Sequence, residues 1–228
     1  MSSSTTTTTP PGLQTSGPRT VLSPIGLNVR AQPVKTAAVL GTAAQGAVLA
    51  VLGHTAASGG WFQVKGATAT GWISDNPALS APGTFAGYVS STGQFDALYP
   101  QGWKVVESPP TTVTFSAPSG DETVVVTTAA KVGQLGRGRP GFVLNTSEQI
   151  LICGATSYLD IYGPPGSPAT TAPAAVGTTP GKYLVQARLT INAQHALGID
   201  ANLADLSQLQ SVRNFVNSVS FAFPPCEG

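Results

Sequence analysis

Apolar and polar residues alternate over short stretches in the first third of the chain, which is the pattern of β-strands that bury one face. Turn-forming Gly, Pro, Ser and Asn residues separate these stretches. In the clearest one, Phe62 and Val64 point to one side, while Trp61, Gln63 and Lys65 point to the other. The pattern predicts six short strands, at residues 20–22, 27–30, 38–40, 47–52, 61–65 and 69–73.

Two tryptophans stand out in these strands. The alternation leaves Trp61 near the surface and turns Trp72 away from the core, with Ile73 pointing inward. Antiparallel pairing would bring the two indoles into one groove beside His54 or Asp75. Two interpretations stay open: the indoles close the edge of a domain with little apolar surface to bury, or they form an exposed platform that binds a peptide or a sugar.

The residues around these positions resemble the bacterial SH3 domain, a small β-barrel found in cell-envelope proteins. The resemblance implies a non-catalytic binding domain, because some members recognise peptidoglycan peptides and others make protein contacts. It makes Trp61, Phe62 and Trp72 the candidate ligand-binding residues. The matching segments are Leu27-Asn28-Val29-Arg30, Pro33, Val39-Leu40-Gly41, Gly60-Trp61-Phe62-Gln63-Val64 and Thr70-Gly71-Trp72-Ile73.

Longer strands and one helix are predicted in the rest of the chain. Apolar residues recur at three- and four-residue steps from Leu203 to Val216, which favours a helix over 203–217 with Asn202 as its N-cap. Arg137 and Arg139 lie in a glycine-rich loop that offers a second surface with no assigned ligand. The predicted strands are 112–118, 123–128, 149–153, 157–162 and 182–191.

The segment 95–106 is predicted to contain two further strands, with the element Tyr99-Pro100-Gln101-Gly102-Trp103 between them. This element resembles the start of PsbP-like proteins, which are exported α/β/α sandwiches with an antiparallel sheet. We therefore expect a mainly β and α+β chain with four parts: a Ser/Thr/Pro stalk at 1–16, an SH3-like barrel at 17–81, a linker at 82–84 and a PsbP-like α+β domain at 85–228.

The chain carries few charges. Charged residues make up 9% of it and the formal net charge is +1, against roughly 25% charged residues in an average soluble domain. Such a chain has no field with which to hold nucleic acid phosphates or an anionic membrane surface. We therefore expect no nucleic-acid partner.

Cys153 and Cys226 are the two cysteines of the chain. Cys226 follows Pro224-Pro225 two residues from the end, where a free thiol gains little from packing but a bond would tether the tail. We expect a disulfide between them, which requires an oxidising compartment. In a cytosolic protein the two would instead be ordinary buried thiols.

The first sixteen residues form a Ser/Thr/Pro tract that cannot build a core. Mature bacterial lipoproteins often carry such a stalk. We therefore expect an extracellular or cell-surface protein whose signal peptide and lipid anchor preceded Met1, the anchor being its one link to the membrane. A disordered native N-terminus is the alternative.

Catalytic motifs are scarce. The two histidines, His54 and His195, are predicted in different domains, and no nucleophile elbow, phosphate-binding loop or metal-ligand spacing occurs. We expect no enzyme activity, cofactor or metal. The sequence predicts a non-catalytic envelope protein whose barrel contacts cell-wall peptide or an envelope protein. The alternatives are an assembly factor without a wall ligand and an unrecognised hydrolase, which would need carboxylates that converge across a cleft.

Overall fold

The structure is a computed structural model that describes residues 17–67, 69–92, 94–108, 110–165 and 183–221. The proposed stalk, the Pro/Ala/Thr-rich segment 166–182 and Cys226 lie outside the described residues. The described strands form three sheets, and all of their pairings are antiparallel.

The first sheet contains seven strands in the order β3-β2-β6-β5-β4-β1-β7. All six strands predicted for this part of the chain are present, and β7 adds a short seventh that pairs with β1. The predicted linker 82–84 begins too early, because Pro82 is the last residue of β7. The strands are β1 (Pro18–Val21), β2 (Leu27–Arg30), β3 (Val39–Ala43), β4 (Val48–Thr55), β5 (Trp61–Lys65), β6 (Thr70–Ser74) and β7 (Ser80–Pro82).

The barrel core comes from alternate residues of these strands. Phe62, Val64 and Ile73 are fully buried, as the alternation predicted. A fully buried side chain of this size contributes about 1.5–3 kcal/mol of burial free energy. The cluster consists of Val21, Leu27, Val29, Leu49, Phe62, Val64 and Ile73.

The second part of the chain contains a hairpin and a second seven-stranded sheet, in the order β10-β11-β12-β16-β15-β14-β13. Buried and half-buried residues alternate strictly along β12, whereas β15 and β16 each contain four consecutive buried residues. The hairpin strands are β8 (Phe85–Val89) and β9 (Asp96–Pro100), and the sheet strands are β10 (Lys104–Ser108), β11 (Thr112–Ser116), β12 (Glu122–Ala129), β13 (Val143–Ile152), β14 (Ala155–Gly163), β15 (Tyr183–Asn192) and β16 (His195–Leu203).

Helix α1 (Leu209–Asn217) and the hairpin cover one face of this sheet. Aromatic rings join the layers: the Phe115 ring packs edge-on against Phe215 of α1 at 4.9 Å and against Tyr88 of the hairpin at 5.2 Å. A 3-10 turn (Val132–Leu135) lies on β12, β15 and β16. The predicted mainly β and α+β fold, with its antiparallel sheets, is confirmed.

The predicted start of the helix was wrong by six residues. Leu203 is the last residue of β16, where it pairs with both Glu122 and Tyr183, and a 3-10 turn (Leu206–Gln208) precedes α1. Pairing on both sides of the strand outweighs the local helical pattern. The predicted apolar face is otherwise right, because Leu209, Val212, Phe215 and Val216 are all buried.

The two parts of the chain contact each other. Leu22 and Ala81 of the barrel pack with Leu98 of the hairpin in a small buried cluster. The Gln45 amide donates to the backbone carbonyls of Leu22, at 3.0 Å, and Ser218, at 2.6 Å. One amide thus joins the barrel to the segment that follows α1.

Candidate ligand-binding site

The β5–β6 hairpin carries all three candidate residues. Trp61 pairs with Ser74, and Gln63 pairs with Trp72. Residues that pair directly share a face of the sheet, so the two indoles lie on the same face as diagonal neighbours. The prediction that the strands bring them together is therefore supported by the register.

The expectation that Trp61 lies near the surface was wrong. Its side chain keeps only 4% of its surface exposed, and its Nε1 donates to the Ser58 carbonyl at 3.2 Å. Ser58 belongs to a 3-10 turn (Ala57–Gly59) immediately before β5. This local turn, which has no period-two signal, buries a residue that alternation alone would leave open.

Phe62 is also inaccessible as a ligand contact, because none of its surface is exposed. Its ring packs against that of His54 at 5.0 Å and lies 4.2 Å beneath the Arg19 guanidinium. Arg19 is only 4% exposed. Its guanidinium makes a cation–π contact with the Phe62 ring and donates two hydrogen bonds to Ser80. Burial lowers the pKa of Arg19 to about 10, against an opposing effect of the Asp75 charge.

His54 and Asp75 form a pair beside this core, with Nε2 and Oδ2 3.0 Å apart. Gly60 makes the approach of Asp75 possible. Its φ is +89°, and a Cβ at this position would clash with the Asp75 carboxylate. The His54–Asp75 pair therefore packs against the backbone of Gly60, which explains why the pair is half-buried.

Trp72 is the candidate that keeps open surface, since it is half-buried. Because Val29, Val64 and Ile73 point into the core, the alternate positions Arg30 and Trp72 point outward.

Cross-strand pairing extends Trp72 into a row over four strands. Val39 pairs with Arg30, Arg30 with Trp72, and Trp72 with Gln63. Val39 is 48% exposed, and the others are half-buried. We call these four residues the Trp72 row.

The row combines one indole, one guanidinium, one amide and one aliphatic side chain. The Arg30 Nη1 donates to the Ala37 carbonyl at 2.7 Å, which fixes the side chain while leaving other donors unused by that bond. Such a surface can stack on a flat or aliphatic group and donate to a carboxylate. Sequence reasoning missed Val39, Arg30 and Gln63 as site residues, although all three lie in predicted strands.

The predicted second surface, the Arg137 and Arg139 loop, packs on the second sheet. Arg139 Nη2 donates to Asn202 Oδ1 at 2.5 Å, and Arg137 Nη1 lies 3.6 Å from Asp160 Oδ2. The Gly138 amide donates to Gln186 at 2.7 Å. These contacts attach the loop to β14, β15 and β16.

Within the part of the chain that the structure describes, no group of three or more His, Cys, Asp or Glu residues could hold a metal ion. None of the described helices is both long and apolar enough to span a bilayer. The predicted disulfide is untested, because Cys226 lies outside the described residues.

Residues 25–79, about a quarter of the chain, match the family model of the bacterial SH3 domain. This match covers the Trp72 row and confirms that the chain contains a bacterial SH3 domain. A search of curated proteins found no match.

Two solved structures are similar to larger parts of the chain. One is the solution structure of cyanobacterial PsbP (CyanoP) from Synechocystis sp. PCC 6803, at 17% identity, covering 62% of this chain and 94% of that one. The other is a crystal structure of a Bacteroides thetaiotaomicron VPI-5482 protein, at 8% identity, covering 60% of this chain and about half (48%) of that one.

Both comparisons have a TM-score of 0.42. The first structure is a PsbP protein, and the element from Tyr99 to Trp103 resembles the PsbP-like family. The α+β fold of the second domain is defined by its own strands and helix.

Proposed function

We propose that this chain is a non-catalytic binding protein of the cell envelope, and that the Trp72 row of its barrel contacts cell-wall peptide. The observation that carries the proposal is an outward-pointing, half-buried indole in a segment that matches the bacterial SH3 domain. A protein partner at the same row is the other form of the proposal.

The chemistry of the row suits a short peptide. The Trp72 indole can pack on aliphatic side chains, while Arg30 and Gln63 can bind peptide carboxylates and amides. The net charge of +1 gives little long-range attraction for anions. Binding would therefore depend on short-range contacts and weaken only modestly with salt.

The proposal places the protein outside the cytoplasm. The predicted Cys153–Cys226 disulfide belongs to this reading, because such bonds persist in oxidising compartments. A lipid anchor upstream of the stalk is part of the same proposal.

Co-sedimentation with purified cell-wall sacculi tests the proposed function. The intact protein should pellet with sacculi, and Trp72→Ala should pellet at least fivefold less. Leu52→Ala is the matched control, because Leu52 is a 54% exposed apolar residue of the barrel outside the row. Equal pelleting of all three, or no pelleting of the intact protein, would remove wall binding through the row.

The contact between barrel and second domain favours a second candidate, an assembly factor without a wall ligand. Gln45 and the Leu22–Leu98 cluster attach the barrel to the second domain, which gives the barrel a structural role. An intact protein that neither pellets with sacculi nor crosslinks to an envelope protein at the row would favour this candidate. Release of soluble fragments from the sacculi would instead indicate a hydrolase.

A further inference from the structure

Charge is unevenly distributed between the two parts of the chain. The second domain, residues 85–228, contains nine acidic and seven basic residues. The barrel, residues 17–81, contains one acidic and four basic residues: Asp75, Arg19, Arg30, Lys35 and Lys65. The net charge of +1 is therefore the sum of a basic barrel and an acidic second domain.

The one acidic residue of the barrel is already compensated. Asp75 Oδ2 lies 3.0 Å from His54 Nε2. The Asp75 charge also stabilises the charged form of Arg19, since it opposes the burial that lowers the pKa of Arg19. Neither Arg30 nor Lys65 forms an ion pair with any residue that the structure describes. These two cations therefore have no anionic partner within that part of the chain.

Lys65 lies on the same face of the barrel as Trp72. It follows the buried Val64 on β5, so its side chain points outward, and it is exposed. Lys65 pairs with Thr70, two residues before Trp72 on β6. Lys65 and Trp72 are thus diagonal neighbours, about 7–8 Å apart and within reach of a long side chain. Because Arg30 pairs directly with Trp72 from the other side, the indole lies between two cations.

The polar groups around this indole have unused hydrogen-bonding capacity. Arg30 uses Nη1 for the Ala37 carbonyl, and its Nε and Nη2 donate to no described residue. Those two nitrogens form the edge of a guanidinium that matches the two oxygens of a carboxylate. Among the described aromatic and cation–π contacts, none involves Trp72. The site thus combines an apolar ring with donors for an anion.

We propose that the Trp72 row, together with Lys65, selects peptides that carry free carboxylates. Arg30 binds a carboxylate through Nε and Nη2, Lys65 attracts the same or a second carboxylate, and the indole packs on the aliphatic groups beside it. This inference rests on the proposed function, because it names the chemical class of the wall peptide that the row contacts.

Isothermal titration calorimetry of the full chain with two preparations of soluble muropeptides tests the proposal. The first preparation keeps its carboxylates. In the second, carbodiimide coupling with excess ammonium has converted them to amides. The parent protein should bind the first preparation about tenfold more tightly, because hydrogen bonds to a charged acceptor are stronger than those to a neutral one.

Two variants assign the preference to its residues. Arg30→Gln should weaken binding of the carboxylate preparation about tenfold, and Lys65→Gln, at an exposed position, about two- to fivefold. Both should bind the amidated preparation as the parent does, whereas damage to the fold would weaken binding of both preparations. Lys104→Gln is the matched control, because it removes an exposed lysine of β10 in the second domain and should leave both affinities unchanged.

The outcomes separate this inference from the proposed function. No binding of either preparation would remove both. Equal binding of the two preparations by the parent would overturn the selection of carboxylates alone, and so would equal losses in Lys65→Gln and Lys104→Gln. Displacement of the muropeptides by inorganic phosphate, but not by acetate at the same concentration, would assign the two cations to phosphate groups and contradict the proposal.

Discussion

Glu122 is a carboxyl group with an unusual environment at the edge of the second core. It is 6% exposed, and its Oε1 makes no hydrogen bond among the described residues. Burial raises its pKa from 4.5 to about 7, and the nearby Asp121 charge adds to the effect. The Ser211 hydroxyl, which also has no partner of acceptable geometry, offsets this only in part.

A raised pKa means that folding favours the protonated form of Glu122. Its contribution to stability is therefore complete below pH 4.5 and is lost as the pH rises through about 7. Glu122→Gln should remove this loss, and urea unfolding at pH 4.5 and pH 8 measures it. Between these pH values the free energy of unfolding of the parent should fall by roughly 1–2 kcal/mol more than that of the variant, after allowance for solvent screening. Identical pH dependence would show that Glu122 ionises normally.

Gly60 supports a second residue-scale prediction. Gly60→Ala would place a methyl group against the Asp75 carboxylate and so break the His54–Asp75 pair, in addition to straining a φ of +89°. Gly59→Ala is the matched control, because φ is +93° there and the space is open. We expect Gly60→Ala to lower the free energy of unfolding by about 1–3 kcal/mol more than Gly59→Ala does. Equal losses in thermal unfolding would contradict the role of Asp75.

Alternation identified the inward residues Phe62, Val64 and Ile73 correctly, because burial in a barrel follows the period of the strand. It could not identify the burial of Trp61, which depends on the turn at Ala57–Gly59 and its hydrogen bond from the indole. The candidate site therefore consists of Trp72 and its cross-strand neighbours, and not of two exposed indoles as predicted.

At the scale of elements, the entry to α1 depends on a cap that precedes the helix. Asp205 accepts a hydrogen bond from the Ser207 amide at 2.7 Å, and the Gln208 side chain accepts from the Asp205 amide in return. Hydrogen bonds from Ser207 hold the pKa of Asp205 below its ordinary value, so the cap stays ionised at neutral pH.

Asp205→Ala should therefore destabilise the second domain by about 1 kcal/mol, a typical cost for losing an N-cap. Asp205→Asn should retain most of the stability, because the amide oxygen can accept the same bond. Chemical unfolding at pH 7 measures both. If Asp205→Asn lost as much stability as Asp205→Ala, the charge of Asp205, and not the geometry of the cap, would be what stabilises the turn.

Element types were more predictable than their ends. The apolar face of α1 followed from its spacing, but the extension of β16 to Leu203 depends on partners in β12 and β15 that are distant in sequence. Strand β13 was likewise longer than the predicted 149–153 segment, since its first half pairs with β14 through polar residues such as Ser147. Pairing with strands that are distant in sequence determines where these strands end. A local sequence pattern carries no information about such pairing.

At the scale of the whole molecule, the predicted Cys153–Cys226 bond is the strongest proposed covalent constraint. A loop of this length contributes about 4 kcal/mol in the chain-entropy model. Peptide mapping without reductant should recover one fragment pair joined through these cysteines. Thermal unfolding should occur at a lower temperature with a dithiol reductant, and Cys226→Ser should be insensitive to the reductant. Two free thiols in the protein from an oxidising compartment would contradict the bond.

The arrangement of the two domains could not be predicted, because its contacts involve residues that look ordinary in sequence. Gln45 stands in a turn and Ser218 follows a helix, yet one hydrogen bond joins them. The bacterial SH3 domain, by contrast, was visible because its strands and turns follow one another within a short segment.

Nuclear magnetic resonance of the labelled full chain, titrated with soluble muropeptides released from sacculi, tests the central claim most directly. The indole N–H signal of Trp72 and the amide signals of Arg30 and Gln63 should shift in a saturable way. The indole signal of Trp61, buried and bonded to Ser58, should move little. Saturable shifts confined to other regions, or none at all, would contradict the assignment of the Trp72 row as a wall-peptide site.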